Sequence, residues 1–340
     1  MSVFVIAEAG ANHDRDLSQA RRLIDIAAES GANAVKFQTY SSETLYAKNV
    51  DDFAGYKNIN NLIKQIELPR EWQKELFQYC SDVGIEFMST PFDESAVQEL
   101  YDLGVKRMKI AGFESTDPRF VRLVASTGLP IIFTSGIGSD LQQISETISW
   151  ILEENKNADI TVLHGNNAYP TPLWDSNICQ IRKILETQKY SDFFPCKFEV
   201  GISDHTEGIL VPPLAVANGA TVVEKHFTIS RSLIGPDHKF AVEPQELAKM
   251  IKNIRDSEQC LGLKGGKFTD SEKQFKNATR SVVAKRDIYP GECLTESNIT
   301  TMRPFTEEAI PAKKYYETLY KIAKNKIHKD QVILESDVKQ

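Results

Sequence analysis

The chain has 340 residues, 41% hydrophobic and 26% charged, with a formal net charge of −7, which suits a soluble globular protein and gives no electrostatic case for nucleic acid. No run of about 18 apolar residues offers a membrane span, and the opening MSVFVIAEAGANHD lacks a cationic start and acquires Glu8 too early for a signal peptide. Cys80, Cys179, Cys196, Cys260 and Cys293 are odd in number and form no CxxC pair, so a cytoplasmic protein with buried, inert thiols is expected.

Short β-branched runs alternate with longer stretches of helical period, which predicts repeated βα units and a parallel sheet. Strands are expected at Phe4 to Ala7, Ala34 to Phe37, Glu86 to Met88, Arg107 to Ile110, Pro130 to Phe133, Ile160 to Leu163, Phe198 to Ile202 and Thr221 to Glu224. Helices are expected at Leu17 to Ser30, Arg70 to Val83, Glu94 to Asp102, Pro118 to Ser126, Leu141 to Glu154 and Pro244 to Leu261. Gly31, Gly84, Gly104 and Gly128 each follow a helix, where a left-handed cap is needed. Eight such units in about 260 residues predict an α/β fold of the (β/α)8 TIM-barrel type, with its site at the carboxyl ends of the strands. A doubly wound sheet is the alternative, but the GxGxxG turn is missing after the first strand. The connection from Ser41 to Pro69 is long for a βα loop and is either a lid or a solvated insertion.

The barrel is assigned to residues 1–262. Residues 263–279 read as a linker, polar and glycine-containing after Leu263 (KGGKFTDSEKQFKNAT), and 280–340 as a small all-β domain. Its two halves loosely repeat one plan: an apolar run, a basic DI or KI, a turn at Gly291 or Asp330, and an acidic ESNI or ESDV.

Polar residues recur at the strand ends: Glu8, Lys36 with Gln38, Ser89 and Thr90, Lys109, Thr134 with Ser135, His164 with Asn166 and Asn167, Asp204 with His205, and Glu224 with His226. Ionisable groups facing a barrel interior are unfavourable unless they pair or bind something, so eight such ends together read as a site. His205 and His226 close two successive strands and can share a divalent metal, with Asp204 and Glu224 beside them. Lys36 and Lys109, expected on opposite sides of the mouth, suit the two ends of a phosphate or carboxylate ligand. A Schiff-base lysine of an aldolase is the other reading of these residues.

In order along the chain, AEAGANH, AVKFQTY, STPFD, RMKIAGFE, HGNNAYPTP, GISDHTEG, VEKHFT and GPDH resemble the sialic acid synthase family. The tail SVVAKRDIYPGECLTESNITTMRP is similar to that family's C-terminal antifreeze-like (SAF) domain, a β-clip. The resemblance implies a carbon–carbon bond-forming transferase. It would condense phosphoenolpyruvate with an open-chain N-acetylmannosamine-type sugar to give a nine-carbon 2-keto acid and phosphate, with carbon–oxygen cleavage. It further implies Mn or Mg on His205 and His226, phosphoenolpyruvate on Lys36, Lys109, Thr134, Asn167 and Ser203 with Glu8 nearby, and the sugar facing Gln38, Glu114, Tyr169 and Asp237. Glu114 is then the candidate for proton transfer, with Lys109 and Glu8 also in the catalytic set. Arg303 is expected to reach the sugar from the partner subunit of a domain-swapped homodimer.

The chain departs from the family at Gly112, where a serine is common, at Thr134 and Ser135, and after Arg303, where FTEEAIPAKKYYE lacks a glycine-rich turn. Two alternatives stand beside the main reading. One is a ketodeoxy-octulosonate or ketodeoxy-heptulosonate phosphate synthase, whose phosphorylated acceptor would want an additional arginine cluster. The other is a non-catalytic sugar-binding scaffold.

Overall fold

In helix α1, Leu17–Glu29, the buried residues Ala20, Leu23, Ile24 and Ala27 share one face, and the Asp16 carboxylate starts the helix by accepting from the Ser18 and Gln19 amides. That face returns the chain to β2, Ala34–Thr39, parallel to β1, Phe4–Glu8, in a register that sets Glu8 beside Lys36. The computed structural model describes residues 2–50, 52, 53, 55–262 and 269–340. It divides into two units, Met1–Gly262 and Leu263–Gln340.

The first unit repeats this step. Strands β3 to β8 are Glu86–Pro91, Met108–Ile110, Ile131–Thr134, Ile160–Gly165, Glu199–Asp204 and Val222–His226. Helices α2 to α8 are Gln73–Val83, Glu94–Leu103, Pro118–Ser126, Leu141–Glu154, Cys179–Tyr190, Val211–Ala217 and Pro244–Cys260. All ladders are parallel in the order β3-β2-β1-β8-β7-β6-β5-β4, and the pairing of β1 with β8 bends the sheet into a nearly closed TIM-like barrel. The doubly wound alternative has no such first-to-last pairing. Between β3 and β4 no ladder forms among the described residues. There the Arg107 guanidinium grips Glu86 at 2.7 and 3.3 Å and lies 4.5 Å from the centre of the Phe4 ring.

The four glycines expected after helices all have positive φ, from 75° to 85°. Several strands run further than their apolar runs predicted, because the polar ends belong to the ladders. β1 continues to Glu8, β2 to Thr39 and β8 to His226. Cys179 and Cys260 are exposed, which corrects the expectation that every thiol is buried; all five are unpaired. Among the described residues no helix is long and apolar enough to cross a membrane.

Alternation along the strands builds the interior in layers. Ile6, Ala34, Met88, Ile132, Leu163 and Val222 form an apolar floor. Two residues further along the same strands stand Glu8, Lys36, Thr90, Thr134, Gly165 and Glu224. Gly201 joins the floor without a side chain, since a Cβ there would lie 2.7 Å from Leu163 Cδ2; Ser203 follows it in the polar layer. Next above come Gln38, His205 and His226.

The long connection after β2 is more than a solvated loop. It holds a two-stranded hairpin, Asp52–Phe53 with Tyr56–Lys57, and the helix Ile59–Ile66. Tyr40, Ile59 and Ile63 pack there with Leu45, Tyr46, Leu62, Ile66 and Phe92. Asp51 and Ala54 of this segment lie outside the described residues.

Of the stretch read as a linker, 263–268 lies outside the described residues, and a short turn at Lys273–Phe275 follows. The second unit pairs β9, Ser281–Ala284, with β10, Ile299–Met302, and β11, Ile322–Ala323, with β12, Val338–Lys339, all antiparallel. Its halves face one another: Ile288 and Ile327 exchange both backbone hydrogen bonds at 2.9 Å. Gly291 and Asp330, at matching places in the repeat, both take positive φ. Their shared core includes Val282, Leu294, Ile299, Ile310 and Ile333.

Candidate active site

The polar layer above the floor is a buried charge network. Lys36 Nζ lies 2.8 Å from Glu8 Oε2 and 3.7 Å from Glu224 Oε1, and it donates to Thr90 Oγ1 at 3.0 Å. Lys109 Nζ donates to Thr134 Oγ1 at 2.9 Å and to the Ile110 carbonyl, and lies 3.9 Å from Glu224 Oε2. The two lysines therefore do not stand on opposite sides of the mouth; they converge on one carboxylate, because the Lys109 side chain runs inward from the short strand β4. Ser203 Oγ donates to Glu224 at 3.0 Å, and Gln38 Nε2 donates to Glu8 Oε1 at 2.8 Å.

Burial dominates the protonation of this layer. It pushes Glu8 up to about 7 against the pull of Lys36, and it pulls Lys109 down to about 8 although Glu224 opposes the shift. Burial also opposes the Lys36 charge, but Glu224 and Glu8 outweigh it and hold that pKa above the usual lysine value. Glu224 is likewise held below the usual carboxylate value, because Lys109 and Lys36 overcome its burial.

Above the network lie the two imidazoles, with ring centres 5.6 Å apart. His205 Nδ1 lies 2.6 Å from the Asn166 carbonyl, so that nitrogen carries the proton, and Nε2, 3.3 Å from Ser203 Oγ, keeps the lone pair that could coordinate. His226 Nδ1 is buried with no hydrogen-bond partner and lies 3.9 Å from Asp237 Oδ2. Burial lowers both histidine pKa values, and for His226 the neighbouring His205 adds to it, so both rings are neutral donors. Among the described residues no cluster of three or more His, Cys, Asp or Glu is arranged to hold a metal. The residues fit a divalent ion held by two imidazoles, with the other positions left to water and substrate oxygens.

A cleft of about 810 Å³ opens over these groups, lined by Gln38, Glu114, Asn167, Tyr169, His226 and Asp237, and by Tyr40, Leu45, Tyr46, Leu62 and Ile66 of the long connection. Glu114 sits in a single turn, Glu114–Thr116, after β4; its Oε2 is buried without a partner, and burial raises its pKa. Asn167 Nδ2 is also buried without a partner. A Cβ on Gly112 would lie 2.7 Å from Asn167 Oδ1, so the asparagine amide fills the space that a larger residue at 112 would take. Tyr169 lies over His205 with ring centres 4.1 Å apart, and the Ala11 amide holds Asp237 Oδ2 at 3.1 Å.

Twelve of the thirteen residues expected from the sequence thus meet at the carboxyl end of the barrel. The other, Arg303, is an exposed residue of the second unit, just after β10, where Thr306 to Ala309 form a turn in place of a glycine-rich one. Asp204 was expected beside the metal, but it points outward and pairs with Lys225 at 2.7 Å. Ser89 also points outward and bonds Thr39 Oγ1 at 2.7 Å. Glu224, expected beside the histidines, instead takes the central place in the network, meeting Lys36, Lys109 and Ser203. Its signal was its place two residues before His226 in one strand, which forces both side chains to the same face.

A nearly closed parallel barrel with this rim, followed by a small antiparallel β unit, is the architecture expected of the family that the sequence resembles. The chain belongs to the NeuB family, whose model matches residues 23–265; residues 279–339 match the SAF domain. It is 39% identical to the N,N'-diacetyllegionaminic acid synthase of Legionella pneumophila, over 90% of this chain and 86% of that one. The enzyme of the same name from Campylobacter jejuni is 37% identical over 97% and 98% of the two chains. Among solved structures, the N-acetylneuraminic acid synthetase of Leptospira borgpetersenii in complex with citrate superposes with a TM-score of 0.72 at 33% identity, covering 81% of this chain and 90% of that one.

Proposed function

We propose that the protein condenses phosphoenolpyruvate with the open-chain form of an N-acylated mannosamine-type sugar, releasing phosphate and a nine-carbon 2-keto acid. The observation that carries this reading is the set of buried polar atoms without partners, Glu114 Oε2, Asn167 Nδ2 and His226 Nδ1, that line one cleft over two buried lysines. Such atoms are unfavourable in an empty site and are satisfied by a polar substrate.

Lys36 and Lys109, with Thr134, Asn167 and Ser203, hold the phosphate and carboxylate of phosphoenolpyruvate. Carbon 3 of the enol forms the new bond to the aldehyde carbon, water adds at carbon 2, and the bond from carbon 2 to the phosphate oxygen breaks. Water gives up two protons: one balances the proton gained by the aldehyde oxygen, and the other, lost as the carbon 2 hydroxyl becomes the ketone, leaves on the phosphate. Glu114, its pKa raised by burial, is suited to carry the first, and Glu8 at about 7 can buffer the layer below. Gln38, Tyr169 and Asp237 orient the sugar. A divalent ion such as Mn or Mg on His205 and His226 would supply Lewis acidity toward the aldehyde.

The acceptor is uncharged in this reading. No lysine or arginine lines the cleft among the described residues, while Leu45, Leu62 and Ile66 offer apolar wall to deoxy and acetamido groups. That favours a sialic-type acceptor over the phosphorylated one of a ketodeoxy-sugar phosphate synthase. The homodimer is proposed on the exposed apolar side chains of the loops after β4 to β8, Phe113, Ile137, Trp174, Leu210 and Ile234, a rim suited to a second copy. Arg303 of that copy would then complete the sugar site.

The test is phosphate release with Mn supplied, across N-acetylmannosamine, its 4-acetamido, 6-deoxy relatives, and a phosphorylated acceptor. Turnover of an unphosphorylated sugar that disappears in His205→Ala supports the proposal. Release with none of these sugars, or with the phosphorylated one alone, refutes it.

A further inference from the structure

The ladder between β7 and β8 ends at the pair Asp204 and Lys225, one residue before each histidine. Backbone pairing of these two strands therefore does not fix the distance between His205 and His226. What lies behind them is an ion pair on the outer face of the barrel. Because side chains alternate, Asp204 and Lys225 point outward where His205 and His226 point in.

Lys225 Nζ lies 2.7 Å from Asp204 Oδ2 and also donates to the Thr206 carbonyl. Asp204 Oδ1 accepts the Thr206 amide at 3.0 Å. Lys225 and Asp204 are each 3% exposed or less. One ammonium thus grips both neighbours of His205, and it belongs to the residue that precedes His226.

We propose that Lys225, through Asp204 and Thr206, is a positioning residue that fixes the spacing of the two imidazoles and so their affinity for a divalent ion. The proposal rests on the reading of His205 and His226 as metal ligands. A buried ion pair is weak evidence for stability, since apolar or neutral replacements of similar size often fold as well. Here it supplies geometry, in the way that partners behind metal ligands commonly set affinity.

The experiment titrates Mn against the full-length protein, reading free Mn by electron paramagnetic resonance, without substrates. Lys225→Met breaks the pair; Asp204→Asn with Lys225→Met removes both charges, so that a folding failure of the single variant leaves the question answerable. Lys225→Arg restores the charge. Expected is a folded double variant, by far-ultraviolet circular dichroism, that binds Mn about 10- to 100-fold more weakly, with phosphoenolpyruvate binding unchanged and part of the loss recovered in Lys225→Arg. A folded double variant with wild-type Mn affinity overturns the positioning role alone. Wild-type protein that binds no Mn overturns the metal reading and this proposal with it.

Discussion

Glu224→Gln tests whether the buried network tunes the lysines. The glutamine keeps the size of the side chain and a partner for Ser203, but removes the charge that faces Lys36 at 3.7 Å and Lys109 at 3.9 Å. At an effective dielectric of about 20, each attraction is worth roughly 4 kcal/mol before relaxation. A pKa unit corresponds to about 1.4 kcal/mol, so losing even a third of one attraction lowers Lys109 by about one unit. In the wild type Lys109 starts at about 8 and loses its proton as pH rises through that value. Binding a phosphate dianion needs the ammonium. The KM for phosphoenolpyruvate should therefore climb above about pH 8 in the wild type, and the climb should begin at least about one pH unit lower in the variant, where Glu224 no longer holds the proton. Steady-state phosphate release over pH reads this directly, with circular dichroism confirming the fold, since breaking a buried pairing destabilises by about 3–5 kcal/mol. An alkaline limb at the same pH in both proteins would refute the argument.

Glu114→Gln should lower kcat about 10²- to 10⁴-fold with little change in the KM for phosphoenolpyruvate, and thermal unfolding should show no loss of stability, because the buried Glu114 oxygen has no partner to lose. Gly112→Ser places a Cβ 2.7 Å from Asn167 Oδ1 and must turn that amide; a rise in the KM for phosphoenolpyruvate, with a stability loss of about 1–3 kcal/mol by denaturant unfolding, is expected.

The barrel was legible because its signals are local: β-branched runs, helical periods, and glycines such as Gly84 and Gly104 at left-handed turns. Helices α6 and α7 were not named, and both carry weak patterns. Only Ile181 and Ile184 of α6 are buried, and α7 has seven residues with two prolines. At the site, the inward residues followed from strand ends, but which ends face inward depends on register. That is why Asp204 and Ser89, beside genuine site residues, turned out to face the helices. The convergence of Lys36 and Lys109 on Glu224 was illegible for a different reason: it depends on how far two flexible side chains reach across the barrel. The contribution of the segment 41–69 to the cleft is likewise a tertiary fact: Ile59, Leu62, Ile63 and Ile66 follow a helical period, but that period does not say where the helix docks.

Eight strands here share seven hydrogen-bonded ladders. A ring with a complete set has no preferred place to open, whereas this one can widen between β3 and β4 without breaking a backbone hydrogen bond. Among the described residues the Arg107–Glu86 clasp spans that gap. β4 is the shortest barrel strand, three residues with Lys109 at its centre, and Gly112 and Glu114 follow it within one turn of chain. Any breathing of the barrel would thus be felt first at Lys109 and Glu114, the side chains proposed to hold the anion and move the proton, while His226 stands in a strand laddered on both sides.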